Sequence, residues 1–188
     1  MVLTACIDKS LRRRPDDYSV YAMAATMVDS ADHDDIRLTL ESLRLGKSPR
    51  LHWREESVAR QLVIAGSIAR MPVESIVTVH IFDRELPYER ARRLCLERLL
   101  YELDQAGVTA ATVESRSPKL DHLDLLLVTG IRKARTLSVN LKATWLRPTE
   151  EPLLWAADAV AGATTWWLDG QTPCFGLLAE RVRLVYLD

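Results

Sequence analysis

The sequence predicts an α/β fold in which a mixed β-sheet is flanked by helices. Two apolar stretches, residues 2–8 and 18–28, are joined by a polar segment that contains a proline, as expected for the two strands of an antiparallel hairpin. The joining segment is too short for a helix. Strand and helix patterns alternate after the hairpin, which predicts parallel strands with helices on the faces of the sheet.

The later elements are predicted from periodicity and from helix-ending residues. Apolar side chains at helical spacing predict helices over residues 34–44, 55–70, 87–106, 119–133 and 152–167. Strand patterns cover residues 74–82, 109–114, 137–142 and 181–187, the last as an edge strand. Right-handed crossovers then place the strand 2–8 between the antiparallel strand 18–28 and the parallel strand 109–114.

The composition is that of an ordinary globular domain, which we expect to span residues 1–188. Apolar residues make up 48% of the chain and charged residues 27%, and no uninterrupted apolar stretch is long enough to cross a membrane. Cys6, Cys95 and Cys174 are far apart and odd in number, which argues against a disulfide framework or a structural zinc and favours the reducing cytoplasm. Five tryptophans fit core packing or an interface, which leaves a homo-oligomer open.

Basic residues are grouped although the formal net charge is only −1. Lys9 and Arg12 to Arg14 form the first group, directly after Asp8 in the predicted hairpin loop, and two further groups lie near residues 90–93 and 132–135. Such groups are most often solvated surface. A nucleic-acid partner would also need a basic patch of this kind.

Three acidic residues stand out by their positions. Asp8 ends the first predicted strand, Glu114 ends the strand 109–114, and Asp158 lies within an apolar, alanine-rich helix. Taken singly, the first two fit turn or cap residues, and Asp158 fits an ion pair with an arginine. If the helix packs over the two strand ends, the three carboxylates converge. Such a cluster suits Mg²⁺ or Mn²⁺, and a two-metal site of this kind can cleave a phosphodiester.

The chain also resembles domain-of-unknown-function family 3800 in a series of short motifs that run in order along nearly its whole length. The matching residues are Asp8 and Ser10 after the first strand, His52 in LHW, Glu114 in VESR, and Asp158 with Gly162 in ADAVAGA. The resemblance implies a ribonuclease-H-like fold and a metal-dependent nuclease that acts on RNA or DNA. It also implies that Asp8, Glu114 and Asp158 are metal ligands and that His52 is an auxiliary catalytic residue. A structural histidine beside Trp53 fits the same position.

Lys9 is the one departure from the family pattern, which has a glutamate there. A residue directly after Asp8 in an extended strand points to the other side of the sheet, so Lys9 can leave the metal site free. If the chain turns instead, the ammonium reaches the carboxylates. Two hypotheses therefore stay open: a metal-dependent nuclease, or a catalytically silent ribonuclease-H-like module that binds a protein or nucleic-acid partner. A lysine or arginine that forms salt bridges within the cluster favours the silent module.

Overall fold

The computed structural model describes residues 2–13, 18–83 and 85–187, and its centre is a six-stranded mixed sheet. The strands are β1 (Leu3–Arg13), β2 (Tyr18–Asp29), β3 (Glu74–Asp83), β4 (Ala110–Glu114), β5 (Lys142–Leu146) and β6 (Val182–Leu187). Their order across the sheet is β5-β4-β1-β2-β3-β6. β2 is antiparallel to both of its neighbours, and the other adjacent pairs are parallel. The predicted place of the first strand, between an antiparallel and a parallel neighbour, is confirmed.

Helices cover both faces of this sheet. They are α1 (His33–Ser42), α2 (Val58–Ala69), α3 (Tyr88–Gln105), α4 (Pro118–Lys133), α5 (Leu153–Leu168) and α6 (Pro173–Leu178). Residues of α1, α2, α5 and α6 share one apolar core, whereas residues of α3 and α4 share the other. Side chains of β1 alternate between them, with Cys6 in the first core and Ala5 and Ile7 in the second. Cys95 is fully buried on α3, as its place on the apolar stripe predicts.

The structure differs from the prediction in three features. The strand predicted at 137–142 is wrong, because β5 begins only at Lys142. Leu137 and Leu141 are instead buried in the core beside α3 and α4, and the Asp104 carboxylate fixes the bend between them by accepting hydrogen bonds from the backbone N–H and hydroxyl of Ser138. The short helix α6 was not predicted, because six residues show too little periodicity.

The third difference concerns the hairpin. The loop was predicted to start at Lys9, but β1 continues to Arg13, which pairs with Ser19 of β2. Lys9, Arg12 and Arg13 are therefore strand residues, and Arg14 lies outside the described residues. None of the helices within the described ranges is both long and apolar enough to span a bilayer.

Candidate functional site

A cleft of about 920 Å³ opens between the end of β1, the segment before α2 and the face of α5. The first strand extends past the end of β4, so its last residues pair with β2 on one side and lie beside an open space on the other. The side chains that line the cleft are mainly polar, basic or aromatic, and they include Lys9, Ser10, Arg12, Arg13, His52, Trp53, Arg54, Asp158, Trp166 and Asp169. All four predicted site residues line this cleft or lie next to residues that do.

Asp8 and Glu114 meet at the base of this region. The parallel register pairs Ile7 with Val113, so the next residue of each strand carries its carboxyl group to the same face, close enough for each group to affect the pKa of the other. Burial raises the pKa of Asp8 well above its ordinary value, and the Lys9 charge only partly offsets this. Burial also opposes ionisation of Glu114, but the hydrogen bond with Asp8 and the charge of Lys9 outweigh it and lower its pKa to about 2. The pKa values of the two neighbouring carboxyl groups are therefore shifted in opposite directions.

Lys9 contributes the cation that balances this pair. Its Nζ donates a hydrogen bond to Glu114 Oε2 at 2.6 Å and lies 3.4 Å from Asp8 Oδ1, while its backbone N–H donates to Asp8 Oδ1 at 2.6 Å. Burial alone would lower the pKa of Lys9. The charges of Asp8 and Glu114 raise the pKa by more than burial lowers it, so Lys9 keeps its proton. The position between the two carboxylates is thus taken by a positive charge from the chain itself.

His52 and Asp158 form a second contact pair at the same cleft. Asp158 Oδ2 lies 2.9 Å from His52 Nδ1 and accepts a hydrogen bond from the Trp53 backbone N–H at 2.9 Å. The hydrogen bond with Asp158 raises the pKa of His52, although burial opposes the shift. The negative charge of Asp158 contributes to the raised pKa of Asp8. Oδ2 of Asp158 is itself bound to His52 and to the Trp53 backbone N–H. The pairing expected of Asp158 is therefore made with a histidine and a backbone amide rather than with an arginine.

Gly162 has a packing role that the motif alone does not reveal. The indole of Trp53, which is 2% exposed, lies directly over Gly162, and a Cβ at this position would be under 3.0 Å from three indole atoms. Trp53 also makes an edge-on contact with Trp166, with ring centroids 6.5 Å apart. Because Gly162 has no side chain, the Trp53 indole can pack directly on α5. This contact holds the segment that contains His52 and Trp53 against the helix.

The basic side of the cleft contains contacts that the sequence analysis did not identify. Arg12 forms an ion pair with Asp169, and its guanidinium lies 5.6 Å from the centroid of the Trp166 ring. Arg13 stacks 4.3 Å from the ring centroid of Tyr88. The grouping of basic residues after Asp8 was the only sequence signal for this wall of the cleft.

The expected metal ligands are thus close together but differently engaged. Within residues 2–13, 18–83 and 85–187, no three His, Cys, Asp or Glu side chains are grouped as they would be to hold a metal ion. Asp8 and Glu114 bind the Lys9 ammonium, and Asp158 binds His52 and the Trp53 amide. The arrangement of these residues does not fit a divalent cation.

The chain was compared with family models, curated proteins and solved structures. No family model matches the chain, and no curated protein matches its sequence. Among solved structures, it is similar to RNase HII of Archaeoglobus fulgidus, solved in a complex with PCNA, with a TM-score of 0.57 and 15% identity over 90% of this chain and 76% of that one. It is also similar to ribonuclease H2 of Pyrococcus horikoshii OT3, with a TM-score of 0.57 and 12% identity over 93% and 79% of the two chains.

A third similar structure is Bst-RNase HIII in complex with Mn²⁺, with a TM-score of 0.51 and 15% identity. The aligned region covers 88% of this chain but only 52% of that one. The fold is ribonuclease-H-like. This agrees with the fold class predicted from the hairpin, the β-α units and the family resemblance.

Proposed function

We propose that this ribonuclease-H-like chain is a module that binds nucleic acid in the cleft and that Lys9 replaces the metal of a two-metal nuclease site. One observation carries the proposal: the Lys9 ammonium lies 2.6 Å from Glu114 and 3.4 Å from Asp8. A divalent cation would need the same oxygens, so the ammonium and the cation compete for one place. Lys9 thereby satisfies the condition that favours the silent module over the nuclease.

The charge of the cleft supports a nucleic-acid ligand. Of the four basic residues that line it, Lys9 is balanced by Asp8 and Glu114 and Arg12 by Asp169, so Arg13 and Arg54 are the cations that a phosphate would contact. Contacts with phosphates supply most of the sequence-independent affinity for nucleic acid. The half-buried Trp166 adds an aromatic surface on which a base can stack.

A metal-dependent nuclease acting on RNA or DNA is the second candidate. It is favoured by the direct contact of Asp8 with Glu114 and by the His52–Asp158 pair at the same cleft. In this case Asp8, Glu114 and Asp158 would bind Mg²⁺ or Mn²⁺ and His52 would assist, as the resemblance to family 3800 implies. The Lys9 ammonium would first have to leave the carboxylates. We also propose that the chain is a member of family 3800 and that it is located in the cytoplasm.

Binding and cleavage assays on the same substrates separate the two candidates. Fluorescence anisotropy with labelled single-stranded RNA, single-stranded DNA, duplex DNA and an RNA–DNA hybrid should detect binding in EDTA. The affinity should fall about tenfold or more between about 50 and 200 mM salt, as expected for three or so phosphate contacts. Gel assays with added Mn²⁺ or Mg²⁺ should show no cleavage.

Arg54→Glu should weaken binding, because Arg54 is an exposed cation of the cleft. Arg70→Glu is the matched control, since it makes the same change of charge at an exposed position at the end of α2. Cleavage that requires a divalent metal would support the second candidate instead. An absence of binding to all four substrates would contradict both candidates.

A further inference from the structure

A second groove lies between α3 and α4, on the opposite face of the sheet from the cleft. Its volume is about 1070 Å³. On α4 the lining residues include Leu123, Leu126, Leu127, Gly130 and Ile131, which recur at steps of three and four residues. A groove between two helices, one of which presents leucines at helical spacing, is the kind of surface against which a third helix packs.

The floor of this groove is apolar, and much of it is open to solvent. Leu126 is 54% exposed, Leu123 46% and Leu94 on α3 37%, whereas Leu127 and Ile131 are buried beneath them. A Cβ at Gly130 would meet no atom within 4 Å, so the groove is unfilled at that point too. Exposed leucines that share a groove in this way are typical of an interaction surface.

The charges at the rim indicate the chemistry of the partner. Glu89 is paired with Arg116, and the buried Asp124 is paired with Arg92 and Arg116. Arg90 and Arg93 also line the groove, but no ion pair or side-chain hydrogen bond joins either guanidinium to another residue within the described ranges.

Arg90 is also in the first turn of α3, where the positive end of the helix dipole disfavours a cation. An acidic group on a partner would compensate both the unpaired charges and this repulsion. Glu97 lies about two turns further along α3, so the positive charge is concentrated at one end of the groove.

We infer that the α3–α4 groove binds an acidic amphipathic helix of a partner protein. Leucine-like side chains of the helix would fill the space over Leu123, Leu126 and Gly130. Its carboxylates would lie beside Arg90 and Arg93, at the end of the groove nearer the start of α3. This surface is separate from the nucleic-acid cleft, so the inference does not depend on the proposed function.

A synthetic peptide tests the inference with the whole 188-residue chain. The probe has about 15 residues, near the length at which an isolated helix is marginal, with leucines at helical spacing and glutamates grouped toward one end. A second peptide carries lysines in place of the glutamates. Fluorescence anisotropy should show the acidic peptide binding at least about tenfold more tightly than the basic one.

Variants of the groove locate the binding. The double variant Arg90→Glu, Arg93→Glu should weaken the acidic peptide about tenfold, and Leu126→Asp should do the same by placing a charge on the apolar floor. The double variant Lys47→Glu, Arg70→Glu and the single variant Leu38→Asp on α1 are matched controls, because the three residues are exposed and none of them lines the groove. Circular dichroism checks that each variant is folded.

Three results would overturn the inference. If the two peptides bind with equal affinity, the charges at the rim do not select an acidic partner. If neither peptide binds, the groove is not a binding site for a helix. Light scattering supplies the third measurement. If the wild type dimerises with rising concentration and Leu126→Asp alone is monomeric, the groove is covered by a second copy of the chain rather than by an acidic helix.

Discussion

Replacing Lys9 by glutamate removes an ammonium from the buried Asp8 and the half-buried Glu114 and puts a shorter, acidic side chain in its place. The wild-type ammonium is 2.6 Å from Glu114 Oε2, so a divalent cation at these oxygens would face a positive charge at close range. Two unit charges about 4 Å apart interact by about 4 kcal/mol at an effective dielectric constant of 20. The Lys9 side chain is 33% exposed, and solvent screening reduces this value. We therefore expect at least about 1.4 kcal/mol, which is a tenfold gain in Mn²⁺ affinity.

Isothermal titration calorimetry with Mn²⁺ measures this change directly. Lys9→Gln separates the loss of the ammonium from the gain of a ligand and should give an intermediate affinity. Arg54→Glu is the charge-matched control, because it makes the same change of charge in the same cleft without contacting Asp8 or Glu114. The reasoning fails if Lys9→Glu binds Mn²⁺ no better than Arg54→Glu. It also fails if the wild type already binds Mn²⁺ as tightly as the variant.

Two further predictions concern the packing and protonation of the cleft. Gly162→Ala should lower the free energy of unfolding by about 1–3 kcal/mol in urea denaturation, because the new methyl group overlaps Trp53. Gly130→Ala, at an unobstructed helical position, should instead raise it by about 0.5–1 kcal/mol, and equal effects would refute the packing argument. The pKa of His52 is raised in the folded state by its hydrogen bond with Asp158, so its stabilising effect is complete below the unfolded-state pKa of about 6.5. The stability difference between wild type and His52→Gln should therefore shrink as pH rises through the raised pKa, and a pH-independent difference would contradict this.

Local patterns predicted most of the sheet, because the central strands are covered on both faces and form apolar runs, whereas most of the helices bury one apolar face. The hairpin could be identified from two apolar stretches with a short polar connection, and the alternation of Cys6 with Ala5 and Ile7 then fixed which side chains enter which core. β5 was misplaced for a physical reason. Residues 137–141 contain strand-forming side chains, but contact with Asp104, 34 residues earlier in the chain, fixes them as a bend. A single sequence carries no local signal for such a contact.

The sequence indicated which acidic residues and which histidine lie near the cleft, but not which partners they contact. Acidic residues at strand ends and within an apolar helix are unusual enough to be identified one by one, and the structure brings Asp8 next to Glu114 and His52 next to Asp158. Which cation each carboxylate would contact depends on residues more than a hundred positions apart. The role of Trp53 was not predicted either, because its indole packs on Gly162, which is distant in the sequence.

Lys9 illustrates how far the alternation of side chains along a strand can be used. Lys9 stays in register opposite Met23, so its Cβ points to the face opposite that of Asp8, as an extended chain requires. Its ammonium nevertheless reaches both carboxylates, because β4 ends at Glu114 and leaves no neighbouring strand to block a long side chain on that side. Alternation fixes the direction of Cβ, whereas four further bonds and an open sheet edge decide where the charge lies. A glutamate at this position has a shorter side chain, so the length of Lys9 as well as its charge determines whether these carboxylates are neutralised by the chain itself.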